Sequence, residues 1–216
     1  MGTTFLRRRS STTHSLASLA AVLGASLLAR PAPVSAQQVA PATGSLHGTV
    51  DAHPVAARAS AVVYLENVPG TFRPPARHTV LDQHGLMFMP HVLAILRGTT
   101  VDFLNSDNVR HNVFTLDGEA YNLGSWPQGE TRPFTFQRIG VYRQLCQVHP
   151  EMQGFILVLA NPFFAISDAD GAFRIADIPP GTYSLKVWSE RLPATTQQVT
   201  VTAGGDVEVH PALRRQ

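Results

Sequence analysis

The stretch Cys146-Gln147-Val148-His149-Pro150-Glu151-Met152 lies between two largely apolar runs, residues 140–145 and residues 154–160. Short runs of this kind predict β-strands, so the stretch is predicted to be a loop that connects two strands. It contains the only cysteine of the chain, together with an imidazole and a thioether. Soft sulfur ligands combined with nitrogen suit copper that alternates between Cu(I) and Cu(II). The loop therefore predicts a copper site that is held by a β-sandwich.

Such a site also needs a second imidazole, and His111 is the candidate. It directly follows the polar connection 105–110 and begins the apolar run 111–115. The end of a strand can hold an imidazole ring rigidly, and the adjacent Asn112 can brace the neighbouring backbone. Two alternatives stay open: an ordinary loop histidine at this position, and a buried structural cysteine with an unrelated histidine and methionine nearby.

Most of the chain after residue 44 is predicted to form β-structure. Short runs of β-branched, aromatic and aliphatic residues alternate with Gly, Pro, Asn and Asp, and no long helical period interrupts them. Residues 116–130 are predicted to be mostly loop. The spacing of the runs predicts an all-β protein made of two sandwiches.

The first 36 residues have the pattern of an export signal. Arg7-Arg8-Arg9 forms a basic start, residues 16–29 are apolar, and Val34-Ser35-Ala36 forms a small-residue cleavage site. The apolar run is shorter than the roughly 20 residues that a spanning helix needs, although an uncleaved anchor is the alternative. We therefore expect a periplasmic protein with no membrane span after cleavage. Polar Ser10-Ser11-Thr12 after the arginines favours ordinary secretion over twin-arginine export.

Without residues 1–36 the chain has 13 basic and 15 acidic residues, because that segment carries four arginines and no acidic residue. The resulting formal charge is −2, so the calculated isoelectric point near 9.0 does not indicate a nucleic-acid or membrane-surface partner. A single cysteine excludes an internal disulfide framework. In an oxidising compartment a bound metal would protect such a lone thiol.

Between residues 77 and 160 the chain resembles the cupredoxins, the small blue copper proteins. The resemblance is carried by His111-Asn112-Val113 and Cys146-x-x-His149-Pro150-x-Met152, with the loop spacing of amicyanin. It implies one type 1 copper ion. By this resemblance His111, Cys146 and His149 are the three trigonal ligands, and Met152 is the weak axial ligand. It also implies that Asn112 ties the two ligand loops together. Arg110 and Glu151 depart from the family pattern, near the edge of His149 that passes the electron in cupredoxins.

A catalytic copper cluster is not expected. A binuclear copper centre needs two cysteines, and this chain has one. Multicopper oxidases and copper nitrite reductases place a histidine beside the ligand cysteine, whereas Leu145 and Gln147 flank Cys146. We therefore expect no enzyme activity.

The pattern also resembles cupredoxins that are labelled methylamine-utilisation proteins.

The resemblance implies a monomeric single-electron carrier whose partner is another redox protein, such as a cytochrome c or a periplasmic dehydrogenase. The alternative is copper binding or delivery without a shuttle role. A second group of soft ligands favours that alternative and consists of His84, Met87, Met89 and His91. Methionines also serve as adaptable core fillers, so this group has a purely structural explanation as well.

The C-terminal part resembles the carboxypeptidase regulatory-like, or transthyretin-like, β-sandwich. The resemblance is carried by Asp168-x-Asp170-Gly171-x-Phe173-x-Ile175 and by Ile178-Pro179-Pro180-Gly181-Thr182-Tyr183. The first half of that pattern, Gly48-Thr49-Val50 and Ala61-Val62-Val63-Tyr64-Leu65, precedes the cupredoxin stretch. We therefore predict a split sandwich of residues 44–70 plus 161–214, with a cupredoxin domain of residues 71–160 inserted. The alternative is a sequential layout, with a cupredoxin of residues 44–160 followed by a truncated sandwich.

Overall fold

The computed structural model describes residues 42–215, so the predicted export signal of residues 1–36 lies outside the described residues. Within residues 42–215, one 3₁₀ helix, Val55–Arg58, accompanies the strands. The strands are β1 Gly44–Thr49, β2 Asp51–Ala52, β3 Val62–Glu66, β4 Thr79–Gln83, β5 Phe88–Met89, β6 Val92–Leu96, β7 Thr100–Asn105, β8 His111–Thr115, β9 Tyr121–Trp126, β10 Thr131–Thr135, β11 Gly140–Leu145, β12 Gln153–Leu159, β13 Phe164–Ile166, β14 Ala172–Ile178, β15 Gly181–Trp188, β16 Thr195–Val201, β17 Asp206–Val209 and β18 Ala212–Leu213. Across residues 42–215, no helix has the length and apolar character to cross a membrane.

The first sandwich combines strands from both ends of the described chain. Its sheets have the orders β14-β1-β17 and β13-β3-β15-β16, and the short β2 pairs with β18. Strand β1 is antiparallel to β14 and parallel to β17, while β3 is antiparallel to both β13 and β15. A core that includes Leu46, Leu65, Ile178 and Leu185 fills the space between the two sheets. The segment before residue 67 is therefore paired with the segment after residue 163.

The second sandwich contains the chain between these two segments. Its sheets have the orders β10-β7-β4-β5 and β6-β12-β11-β8-β9. Its core includes Phe88, Trp126, Phe136 and Tyr142, all fully buried, and also contains Cys146 and Met152. Proline is tolerated in edge strands, and Pro133 lies in β10 at the edge of its sheet.

A third core lies between the two sandwiches, because β3 and β12 are apolar on both faces. Successive side chains of a strand point to opposite faces. Val63 therefore packs in the first sandwich while its neighbour Val62 packs in the third core. In β12, Ile156 packs in the second sandwich while Leu157 packs in the third core. The contact between the sandwiches thus consists of buried apolar side chains, which restricts rigid-body motion of one against the other.

The predicted all-β fold class with two sandwiches is confirmed. Residues 116–120 and 127–130 are loop as predicted, but the prediction missed β9, which lies between them and pairs with β8. The register shifts between Asn112 and Phe114, and Gly124 in β9 has a positive φ of 74°. These irregularities interrupt the regular alternation by which a strand is recognised in a sequence. The strand pairings agree with the split layout, whose domain boundaries stay a prediction.

Candidate metal centre

His111 is the first residue of β8 and is fully buried. Its Nε2 donates a hydrogen bond to Oδ2 of Asp107 at 2.9 Å. Burial alone raises the pKa of Asp107, but hydrogen bonds from the Leu86 N–H, the His111 ring and the Gly85 N–H lower this pKa overall. The ionised carboxylate therefore holds the proton of His111 on Nε2, so that Nδ1 carries the free lone pair.

Cys146 directly follows β11, and its thiol is buried. The backbone N–H of Asn112 donates to Sγ of Cys146 at 3.5 Å. The side-chain Oδ1 of Asn112 accepts a hydrogen bond from the Gln147 N–H at 3.3 Å. Asn112 thus contacts both sides of the cysteine, and it connects the strand of His111 with the loop of Cys146 as expected. An N–H hydrogen bond to the sulfur also stabilises negative charge on a thiolate.

His149 and Met152 close the loop that begins at Cys146. The Met152 N–H donates to the His149 carbonyl at 3.0 Å, which makes a tight turn between them. His149 remains partly exposed, whereas Met152 is fully buried in the same core cluster as Cys146. The turn therefore places the imidazole toward the surface and the thioether toward the interior.

Three ligand atoms converge at this place. Nδ1 of His111 and Nδ1 of His149 are 3.0 Å apart. Sγ of Cys146 lies 3.9 Å from the first of these nitrogens and 4.0 Å from the second. Among residues 42–215, these three residues form the only group of His, Cys, Asp or Glu ligand atoms that lie within 4.8 Å of one another. Two imidazole nitrogens, a thiolate and a neighbouring thioether are a donor set that fits copper.

The two residues that depart from the family pattern lie at the surface beside the centre. The guanidinium of Arg110 donates to the Ser125 carbonyl oxygen at 2.6 Å, so it is anchored to β9. Glu151 is exposed and lines a cavity together with Met152. The surface beside the ligand residues therefore carries an anchored guanidinium and an exposed carboxylate.

Asp107 is the residue that sequence reasoning missed. It holds His111 and also accepts hydrogen bonds from the Gly85 N–H at 2.7 Å and the Leu86 N–H at 3.0 Å. An Asp that precedes a His by four residues gives no signal in an irregular loop, because the loop geometry decides whether the two side chains meet. The carboxylate links the buried imidazole to the turn at residues 84–87.

Residues 158–214 match the carboxypeptidase regulatory-like domain. A copper-containing nitrite reductase from Thermus scotoductus SA-01 is 29% identical over 44% of this chain and 28% of its own, with a TM-score of 0.39. A purple cupredoxin from Nitrosopumilus maritimus is 26% identical over 38% of this chain and 99% of its own, with a TM-score of 0.35. A reduced variant of amicyanin is 21% identical over 45% of this chain and 98% of its own, with a TM-score of 0.37.

No curated protein matches the chain. The cupredoxin and regulatory-like resemblances predicted from the sequence are confirmed as resemblances. The TM-scores lie below 0.5, and the chain spans only 28% of the nitrite reductase. The chemistry of the centre is therefore inferred from the residues of this chain.

We expect Asp107→Asn to weaken copper affinity by about 10- to 100-fold, because the carboxylate that orients the His111 ring is lost. Competition between the protein and a copper chelator measures this affinity. Asp102→Asn is the matched control, since Asp102 pairs with the exposed His78 at 3.0 Å and contacts none of the proposed ligands in the hydrogen bonds of the described residues. An affinity of Asp107→Asn equal to that of the control would contradict the assigned role.

Proposed function

We propose that the chain is a mononuclear type 1 copper protein that transfers single electrons. The observation that carries the proposal is the convergence of the His111, Cys146 and His149 ligand atoms within 4.8 Å. Met152, buried in the same core cluster, is the fourth and axial ligand in this proposal. Copper held by these residues supplies a one-electron couple between Cu(I) and Cu(II).

The chain contributes rigidity and access to this centre. Asp107 and Asn112 fix His111 and Cys146 through hydrogen bonds that do not depend on a metal. A scaffold that holds its ligands in one geometry reduces the rearrangement that accompanies a change of oxidation state. His149 is the partly exposed ligand, so its ring edge is the route for the electron between the centre and a partner.

The partner in this proposal is another redox protein, such as a cytochrome c or a periplasmic dehydrogenase. A carrier must release its partner after each transfer, which favours a small and transient interface. The exposed side chains of Val109 and Val148 lie in the two loops that carry the ligands and offer apolar surface for such a contact. The proposal therefore describes a monomeric periplasmic carrier without enzyme activity.

We also propose that residues 71–160 are inserted into a sandwich of residues 44–70 plus 161–214. The pairing of β3 with β15 and of β1 with β17 supports this layout. Both connections to the copper-bearing part leave the same sandwich, and the third core lies between the two parts. In this layout the surface around His149 keeps a fixed orientation relative to the first sandwich.

The second candidate function is copper binding or delivery without a shuttle role. The observation that favours it is the exposure of Met87 and Met89, which are 56% and 47% exposed. Exposed thioethers suit exchangeable Cu(I) better than a core-filling role. Copper stoichiometry separates the candidates: one tightly bound, redox-active ion supports electron transfer, and two or more exchangeable Cu(I) ions support delivery.

The experiment that tests the proposal is an absorption spectrum of the copper-loaded protein. We expect an intense visible band from charge transfer between the Cys146 thiolate and Cu(II). The band should disappear on reduction and should be absent in Cys146→Ser, because a hydroxyl cannot replace the thiolate. His78→Gln serves as the control, since it removes an exposed imidazole outside the centre. A wild-type protein that binds copper without this band, or a Cys146→Ser variant that keeps the band, would refute the proposed function.

A further inference from the structure

The cavity that Glu151 and Met152 line is also lined by potential ligands that the proposed copper centre does not use. Its volume is about 400 Å³. Met87, Met89 and His91 line it from one side, Glu190 lines it from the first sandwich, and Met152 lines it as well. The cavity thus connects a group of exposed soft ligands with the buried thioether of the centre.

The two methionines are surface residues. They flank Phe88, which is fully buried in the second sandwich. Met87 directly precedes β5 and Met89 is its last residue, and both line the cavity. They are 56% and 47% exposed, so neither fills a gap in the core. Their Cα atoms are two residues apart and therefore at most about 7 Å from each other, a span that two flexible thioethers can close around one ion.

His91 is held in an orientation that suits a metal ligand. Its Nε2 lies 2.6 Å from Oε2 of Glu190, which belongs to the first sandwich. The other carboxylate oxygen of Glu190 accepts a hydrogen bond from Arg191 at 3.2 Å, so both oxygens of this carboxylate already have a hydrogen-bond partner. With the Nε2 proton donated to Glu190, Nδ1 of His91 keeps a free lone pair, an arrangement common among metal-binding histidines.

We propose that Met87, Met89 and His91 form a loading site for Cu(I). Two thioethers and one imidazole are soft and borderline donors, which select Cu(I) over harder ions. Within residues 42–215, the cavity contains no group of three His, Cys, Asp or Glu ligand atoms within 4.8 Å, so it lacks the donor set of a zinc site. His84 is outside the site, because its ring lies near Asp107 at 4.0 Å and does not line the cavity.

The ion passes from the loading site to the proposed centre by ligand exchange through Met152, and this step rests on the proposed function. Met152 lines the cavity and packs in the core cluster of Cys146. Thioether bonds to Cu(I) break and form while copper stays in the same oxidation state, so the transfer needs no oxidant or reductant. The sulfur ligands thus form a series from the surface to the interior: Met87 and Met89 are exposed, Met152 follows, and Cys146 is buried in the centre.

The test uses the full chain with Cys146→Ala, titrated anaerobically with Cu(I) against the chelator bicinchoninate. We expect Cu(I) binding to persist and to weaken in the same chain with Met87→Leu and Met89→Leu. The expected loss is about tenfold for each thioether, which equals about 1.4 kcal/mol each. Leucine conserves the size of methionine, so the variant keeps its fold. Leu116→Ala, introduced into the same Cys146→Ala chain, is the control, because Leu116 is exposed and does not line the cavity, and it should leave Cu(I) binding unchanged.

Unchanged Cu(I) affinity in the methionine variant would overturn the loading site, as would a complete absence of Cu(I) binding in Cys146→Ala. A wild-type protein that lacks the visible band but shows methionine-dependent Cu(I) binding would overturn the proposed electron-transfer function and support the Cu(I) site. The transfer step is tested with Met87→Leu and Met89→Leu in a chain that keeps Cys146. If copper reaches the centre through Met152, this variant should load the centre about tenfold more slowly than the wild type when Cu(I) is limiting. Filling at the wild-type rate would refute the transfer step.

Discussion

Gly48→Ala is expected to destabilise the protein by about 4 kcal/mol or more, a cost reached only when a substitution conflicts with the backbone. Gly48 lies in β1 opposite Val209 of the parallel strand β17, with a φ of 154°. A Cβ at this position would overlap the carbonyl oxygen of Val209. Because both partners are backbone, no side chain can move aside, and the strands must separate. For a protein of this size the thermal midpoint should fall by roughly 10 °C or more.

Gly204→Ala is the matched control, since Gly204 also has a positive φ, 69°, and lies in the same sandwich. A Cβ there meets nothing within 4 Å, so only the backbone strain of about 1 kcal/mol remains. Thermal and urea unfolding of both variants gives the comparison. Equal stability of the two variants would mean that β1 is not held against β17, and the split layout would then rest on the β3–β15 pairing alone.

Leu157→Asp is the second variant with a large expected effect. Leu157 is 1% exposed and packs in the third core, between the sandwiches. A carboxylate there would be buried without a partner, which costs about 4 kcal/mol. The first and second sandwiches keep their own cores, since Leu157 belongs to neither. We therefore expect the single unfolding transition of the wild type to separate into two, with the lower midpoint reduced by roughly 10 °C.

Val141→Asp is the control for this variant. Val141 is the cross-strand neighbour of Leu157 in β11 and is 40% exposed. Its substitution places the same charge on the same face of the sheet, but in contact with water, and should cost within about 0.5 kcal/mol. Calorimetry counts the transitions directly. If Leu157→Asp still unfolds in one transition at the wild-type temperature, the third core does not couple the sandwiches.

Much of the candidate site could be predicted from the sequence because its residues lie in short, recognisable segments. Cys146, His149 and Met152 share one loop, and His111 begins a strand, so the ligand types and their local structure are encoded nearby. Asp107 could not be predicted in the same way. Its contact with His111 depends on the path of the loop 105–110, which is stabilised by Asn105 accepting from the Asp107 N–H at 3.0 Å.

Most strands were predictable from the sequence, with β9 as an exception, whereas the contact between the sandwiches was not predicted. The signal for that contact was present, because strands buried on both faces have continuous apolar runs. Residues 61–65 and 155–159 are such runs. The runs do not show that these two strands pack against each other, because every strand that is buried on both faces has the same continuous apolar pattern. The parallel pairing of β1 with β17 is equally hidden, because more than 150 residues separate Gly48 from Val209.

The pairing of β1 with β17 has a mechanical consequence. The first and last strands of the described chain, β1 and β18, both belong to the first sandwich, and the sandwich with the candidate metal centre is reached only through internal connections. A pulling force applied at Gly44 and Leu213 would therefore be transmitted through the β1–β17 and β2–β18 pairs, which are parallel. The ligand loops lie outside this line of tension. They would keep their geometry until the first sandwich ruptured.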